Sequence, residues 1–427
     1  MAEDIHLQPE ADARQDLRTL LDLVEAAPPV EAVDVLAREL ARIVDADDVT
    51  FLIADFSGDA LIRFLSTPNG VEIVDDDGQK HLATVPLVGS PHEHAIRAQQ
   101  VQVVASADSA RLYAPVTDRG DALGVLELSL PSMPNDDTMA FVASAAHALA
   151  YVIIANRRHT DLFERGQRNR PFSLAAEIQR RLLPDAFTCE AAEFTLAGWL
   201  EPASNVGGDT FDYSVERDAL HLSISDAMGH TVNASQLATL AVGSLRNSRR
   251  ARAGIAEKAS VANSVISEHA QDDEFVSSLL LDVDLTTGSV VIINAGHPNP
   301  YLVRNGVTTE VKLHADIPLG LFLDTEYLQQ TMQLEPGDRL VLVTDGMLER
   351  NASALDITSA LQDMTALHPR EVVHTFARAV VKATDGALQD DATVLCVDWY
   401  GRNADSRDRI SNAGATQFRA SQPLRDA

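Results

Sequence analysis

The sequence predicts an α+β protein of two domains, the second of them a sandwich with its sheets inside and its helices outside. Three observations predict it. At 427 residues the chain exceeds what one core ordinarily serves. Short apolar runs such as LHLSISD, SLLLDVDL, SVVIINAG, PYLVRNG, RLVLVTDG and ATVLCVDW alternate with turn residues, which is the pattern of strands. Helical periodicity comes in separate blocks, at Ala234 to Arg250 and from about Pro369 to Thr384, so helices interrupt the strands instead of alternating with them one by one.

Composition bounds the function. Hydrophobic residues make up 45% of the chain, enough for real cores. Acidic residues outnumber basic ones 63 to 34, a formal charge of −29, which argues against nucleic acid or an anionic membrane as the main partner. Cys189 and Cys396 are the two cysteines, far apart in sequence, so neither a disulfide framework nor a cysteine zinc site is indicated. The start, MAEDIHLQPEADARQD, is polar and acidic, and no run of about eighteen apolar residues occurs. A soluble, cytoplasmic protein is expected.

Residues 1–29 read as a polar, helical extension, and 30–157 as the first domain. After Pro28 and Pro29, the residues Val33, Leu36, Ala37, Leu40 and Ile43 recur at helical spacing until Asp45 to Asp48 ends the pattern. VTFLIADF, Val49 to Phe56, is a strand. LYAPV and ALGVLELSL flank the turn TDRGD, a hairpin signal. DDDG, Asp75 to Gly78, reads as an exposed turn rather than a cation site. From the N-cap Asn135, the residues Met139, Val142, Ala146, Leu149 and Ile153 repeat at three and four, the seam of a coiled coil or bundle.

This order of helix, strand, hairpin and long exit helix resembles a GAF sensor domain. The resemblance implies either a small-molecule ligand on one sheet face or a homodimer through terminal helices. Residues 158–186 form a linker: an arginine-rich charged stretch, then SLAAEIQRRLLP with Leu174, Ile178 and Leu182 on one stripe. That stripe packs on its own domain, carries the state of the first domain to the second, or does both. The second domain runs over 187–400, and the polar 401–427 reads as a disordered tail.

Four aspartate motifs in the second domain share one layout, in which an apolar strand or a glycine turn delivers a carboxylate. They are VGGD with Asp209, LSISDAMGH with Asp226, LVLVTDG with Asp345, and LQDDATVLCV with Asp390 and Asp391. Each has an ordinary alternative: GGD and TDG as plain turns, SDAMGH as a helix N-cap on Asp226, DDAT as a strand entrance, Asp391 as a turn or supporting residue. Carboxylates sharing one cleft repel unless a cation neutralises them, and oxygen ligands suit magnesium or manganese rather than zinc.

In this order, AAEIQRRLLP, VGGDTFD, SDAMGH, NAGHPNPYL, LVTDG and QDDAT resemble the metal-dependent protein phosphatases of the PPM type, in the bacterial branch of sporulation and stress-response phosphatases that act on anti-sigma factor antagonists. The resemblance spans most of Leu174 to Trp399. It implies Asp209, Asp226, Asp345 and Asp390 as metal ligands, with the backbone carbonyl of Ala227, and two divalent cations, Mn²⁺ or Mg²⁺. It implies hydrolysis of phosphoserine or phosphothreonine on a STAS-type antagonist by a water held between ions about 4 Å apart. Met228 stands where eukaryotic relatives carry a leaving-group histidine, so protonation by water is expected rather than by His230. Thr231 replaces a glycine of many relatives. Asn294 and His297 are expected to shape a turn beside the site. RNSRRAR, Arg246 to Arg252, reads as a solvated helix end or, less so, a dock for an acidic protein. GGDTF looks like the GGDEF signature of nucleotide cyclases, but Thr210 stands where those enzymes need an acid. The alternative from another class is a catalytically weak scaffold that binds partners without turnover.

Overall fold

A computed structural model describes residues 8–402 apart from 57, 59, 65–71, 75–79, 83, 107–108, 169–172, 204–206, 230–231, 272–273, 349–355, 385–387 and 389. The DDDG turn, His230, Thr231 and the segment 403–427 lie outside the described residues. The chain forms two compact units, the first built mainly on Met1–Pro171 and the second on Phe172–Ser411.

The first unit holds a six-stranded antiparallel sheet in the order Thr84–Pro86, Ala60–Arg63, Asp48–Ala54, Asp121–Leu130, Ala110–Asp118, Gln102–Ala105. Its central hairpin turns at Arg119 and Gly120, both with positive φ (45° and 81°), as a two-residue turn matched to strand twist requires. Helices Gln8–Ala26, Ala32–Val44 and Asp136–Asn156 cover one face. Leu20 and Val24 of the first helix are buried in this core, so the segment before Pro28 is part of its packing.

Helix Asp136–Asn156 begins where the sequence marks it, with the Asn135 side chain accepting the Thr138 N–H at 2.7 Å. By length and composition it could cross a membrane, yet Val142, Ala146, Leu149 and Ile153 are buried against its own sheet. The stripe read as the seam of a coiled coil or bundle is therefore core within its own unit. The face left outward carries Ser144, Tyr151 and Ile154 instead.

The second unit is a four-layer sandwich. One antiparallel sheet runs Val307–Glu310, Tyr301–Arg304, Arg339–Val343, Ala392–Trp399, Phe194–Glu201, Thr188–Glu190; the other runs Thr210–Val215, Ala219–Ala227, Val276–Asp284, Ser289–Ala295, Gln330–Gln333. Phe194, Leu196, Phe211, Ile224, Leu281, Leu342 and Leu395 fill the layer between the sheets. Helices Ile357–Asp363 and Pro369–Ala383 pack outside the first sheet, Val232–Arg250 and Ile255–His269 outside the second. The helix Ile255–His269 was not expected from the sequence; its alanines and serines blur the apolar stripe that signals a helix.

If the seam is core, Leu149→Ala should destabilise the chain by about 2–5 kcal/mol, while Tyr151→Ser on the outward face should cost under about 0.5 kcal/mol. Urea denaturation of both variants measures the contrast, and equal losses would contradict this packing.

Candidate functional site

Strand periodicity carries the apolar inner layer of the second unit to one end and there turns it polar. Leu220, Leu222 and Ile224 alternate inward on their strand, and Asp226 continues that face. Phe211 does the same for Asp209, Leu340 and Leu342 for Thr344, and Leu395 and Val397 for Thr393 and Asp391. Five polar side chains from four strands therefore share one end of the inter-sheet layer. Asp226 lies within its strand, which runs to Ala227, and the next helix starts only at Val232, so the helix N-cap alternative fails.

Hydrogen bonds tie these segments together. The Asp209 carboxylate, 1% exposed, accepts at Oδ2 from the hydroxyls of Thr344 (2.7 Å) and Thr393 (2.6 Å). Thr344 in turn accepts the Thr393 N–H at 2.9 Å. Asp391 accepts the N–H groups of Ala203 (2.8 Å) and Gly207 (3.1 Å) and the Gln179 amide (2.5 Å). Gln179 also donates to the Asp209 carbonyl at 2.9 Å. Asp391 thus supports the GGD loop from beneath, while Asp390, half-buried beside it, accepts the Asp391 N–H at 2.9 Å. Asp345 opens a short 3-10 turn, Asp345–Met347, and is exposed.

The glycines of the motifs explain themselves by contact. A Cβ on Gly207 would lie 2.7 Å from Asp391 Oδ2 and 2.9 Å from Asp390 Oδ1. One on Gly208 would fall on the Ala227 carbonyl oxygen, and one on Gly346, after Asp345, on the Asp391 carbonyl oxygen. Four motifs thus meet in two pairs, backbone to backbone, closer than any side chain allows.

Electrostatics follows from this crowding. Burial, then the Asp226 and Asp391 charges, raises the Asp209 carboxyl well above its usual range, against the pull of the two threonine hydroxyls. Burial, then Asp345, Asp390 and Asp391, pushes Asp226 up to about 7. Burial also raises Asp391, opposed chiefly by the Ala203 N–H and Gln179. Such a cleft takes up protons or cations. Among the described residues, no three carboxylate, imidazole or thiolate side chains close around one point as a finished cage. The donor set fits magnesium or manganese, which use one or two carboxylates and leave the remaining positions to water and phosphate oxygens.

Neighbouring expectations divide. Asn294 and His297 do brace a turn: Asn294 Nδ2 donates to the His297 carbonyl (3.0 Å) and its Oδ1 accepts the His297 N–H (2.7 Å). The His297 ring bonds Ser277 Oγ at 2.8 Å, and burial lowers its pKa to about 3, so it is neutral. Arg246 and Arg249 are not free for a partner, because both hold Asp212, at 2.8 and 3.0 Å. Arg246 also donates to the Leu182 carbonyl at 2.7 Å. In helix Leu174–Leu182 the buried side chains are Ala175, Gln179 and Leu182, while Leu174 is 67% exposed, so the inward face is one step round from the apolar stripe and has an amide at its centre. Gln179, Thr344 and Thr393 were missed by reading the sequence; the last two were legible from strand alternation, Gln179 was not.

Residues 216–400 match the family model described as Stage II sporulation protein E (SpoIIE). Phosphoserine phosphatase RsbP of Bacillus subtilis is 26% identical over 207 residues, covering 47% of this chain and 49% of its own. Phosphoserine phosphatase RsbU of the same organism is 21% identical over 285 residues, 64% of this chain and 82% of its own. Among solved structures, the RsbU and RsbW domains of Rv1364c from Mycobacterium tuberculosis align with a TM-score of 0.46 at 22% identity, over 52% of this chain and 70% of that one. The chain spans about half the length of RsbP.

Gly208→Ala should destabilise the second unit by about 1–3 kcal/mol through main-chain displacement at Ala227, whereas Gly243→Ala, where a Cβ meets nothing, should be neutral or stabilising by up to about 1 kcal/mol. Denaturant melts compare them; a harmless Gly208→Ala would contradict the close approach.

Proposed function

Since residues 216–400 match the family model described as Stage II sporulation protein E, we propose that this chain hydrolyses phosphoserine or phosphothreonine on a regulatory protein, an anti-sigma factor antagonist of the STAS type, with two divalent cations. The observation that carries the reading is the gathering of the Asp209, Asp226 and Asp391 segments at one end of the inter-sheet layer, where Asp345 and Asp390 add to the charge felt by Asp226.

Asp209, Asp226, Asp345 and Asp390, with the Ala227 carbonyl, would hold the cations. Bound divalent ions supply an activated water and neutralise the phosphoryl oxygens in an in-line displacement. The chain's own groups do the positioning. Thr344 and Thr393 fix the Asp209 carboxylate through Oδ2. Asp391 holds the Ala203 and Gly207 main chain, and the two glycines keep the approach to the cleft clear of side chains. A nucleophilic serine or cysteine has no part in this scheme.

Regulation by the GAF-like domain belongs to the same reading. Helix Leu174–Leu182 touches the site through Gln179, which bonds both the Asp209 carbonyl and Asp391. A displacement of this helix by the preceding domain would leave Asp391 short of a donor and loosen the GGD loop. A small-molecule ligand of the first domain, or a homodimer through its outward helix face, would supply the signal.

Turnover of p-nitrophenyl phosphate should require Mn²⁺ or Mg²⁺ and should fall by at least about 100-fold in Asp345→Asn; metal-independent turnover, or none from the wild type, would favour a binding scaffold. Gln179→Ala should lower the same rate by about tenfold or more through misplacement. Removal of residues before about 160 should also change it, and an unchanged rate would end the lever hypothesis.

A further inference from the structure

The sheet edge that carries Asp226 and Ala227 continues sideways into an apolar surface. Ala227 pairs in register with Val276, and Val276 exchanges both main-chain hydrogen bonds with Leu319, at 2.9 and 2.8 Å. The chain around Leu319 therefore lies about two strand spacings, roughly 10 Å, from the Ala227 main chain. Around it, Ile317, Phe322, Leu323 and Leu328 are 41, 59, 57 and 53% exposed, and Met228, directly after Ala227, is 47% exposed.

This exposure is built in. Asn263, 1% exposed, donates its amide to the carbonyls of Phe322 and Leu323, both at 2.9 Å. Its oxygen accepts the Gly320 N–H at 2.8 Å and the Tyr327 hydroxyl at 3.0 Å. Gly320 sits at φ +93°, and a Cβ there would run into the Ile266 side chain. Asp316 accepts the Leu328 N–H at 2.7 Å. One buried amide thus fixes the loop with its large apolar side chains half exposed. Position selects the occupant, because the loop is hydrogen-bonded through Val276 to the strand that ends at Asp226 and Ala227. A chain of net charge −29 repels a phosphorylated partner, and an apolar contact supplies an attraction that salt does not screen.

We propose that this surface docks the phosphoprotein substrate by apolar side chains flanking its phosphorylated serine or threonine, which sit on Phe322 and Leu323 while the phosphate enters the carboxylate cleft. The inference rests on the hydrolase reading above. The loop that carries Phe322 and Leu323 begins, at Leu319, roughly 10 Å from Ala227, the span of about three extended residues, so the recognised side chains should lie at least three positions from the phosphorylated one.

The test uses two phosphoserine nonapeptides of equal charge, one with leucine three positions to either side and one with serine there, alongside p-nitrophenyl phosphate. All are assayed with Mn²⁺ on the full chain and on the double variant Phe322→Ser, Leu323→Ser. The wild type should favour the leucine peptide by about tenfold in kcat/KM, mainly through KM. The double variant should lose that preference and keep its p-nitrophenyl phosphate rate. A wild type without the preference, or a variant that retains it, overturns the docking surface while the hydrolase stands. Failure of the wild type on p-nitrophenyl phosphate overturns the hydrolase reading, and the docking surface with it. Sedimentation velocity provides the remaining outcome: a variant that turns a dimer into a monomer while keeping the peptide preference assigns the surface to a second copy and contradicts the proposal.

Discussion

Everything in the second unit depends on carboxylates being held together against their own repulsion. An apolar layer between two sheets is a poor place for a charge, and the cost of burying one without a partner is several kcal/mol. Asp209 is nonetheless almost fully buried at the end of that layer, with Asp226 and Asp391 close enough to disfavour its ionised form. The fold tolerates this because the rest of the sandwich is well packed around Phe211, Leu342 and Leu395, and because hydroxyls and main-chain N–H groups satisfy part of the charge. What remains of the charge is the part that the proposed cations would neutralise.

The supporting residues divide the work. Asp391 is spent on structure, accepting from Ala203, Gly207 and Gln179, so its carboxylate fixes the loop in which Asp209 stands. Asp212, further along the same strand, is held by Arg246 and Arg249, and Arg246 also grips the end of the helix that bears Gln179. One helix is therefore tied at two points to the segment that carries the buried Asp209 carboxylate. Any motion of that helix must reach Asp209 through these bonds.

Much of this was legible in the sequence. The aspartate motifs, the hairpin at Arg119 and Gly120, and the long helix after Asn135 all stand where turn chemistry and periodicity put them. The role of the glycines was legible only in part, since GG and TDG signal turns, while the main-chain contacts of Gly208 with Ala227 and Gly346 with Asp391 join segments far apart in the chain. The seam Val142, Ala146, Leu149, Ile153 was read correctly as apolar, but periodicity does not say which surface covers it, and the covering surface is its own sheet. RNSRRAR was legible in part: Arg250 and Arg252 are exposed, as a solvated helix end should be, while Arg246 and Arg249 serve the buried acid Asp212. Gln179 carried no signal, because an amide on an amphipathic helix ordinarily faces water.

Anomalous diffraction from crystals soaked in Mn²⁺ tests the central claim most directly. Strong peaks bounded by oxygens of Asp209, Asp226, Asp345 and Asp390 and by the Ala227 carbonyl are the expected result. Manganese bound elsewhere, with this end of the inter-sheet layer empty at saturating concentration, would contradict it.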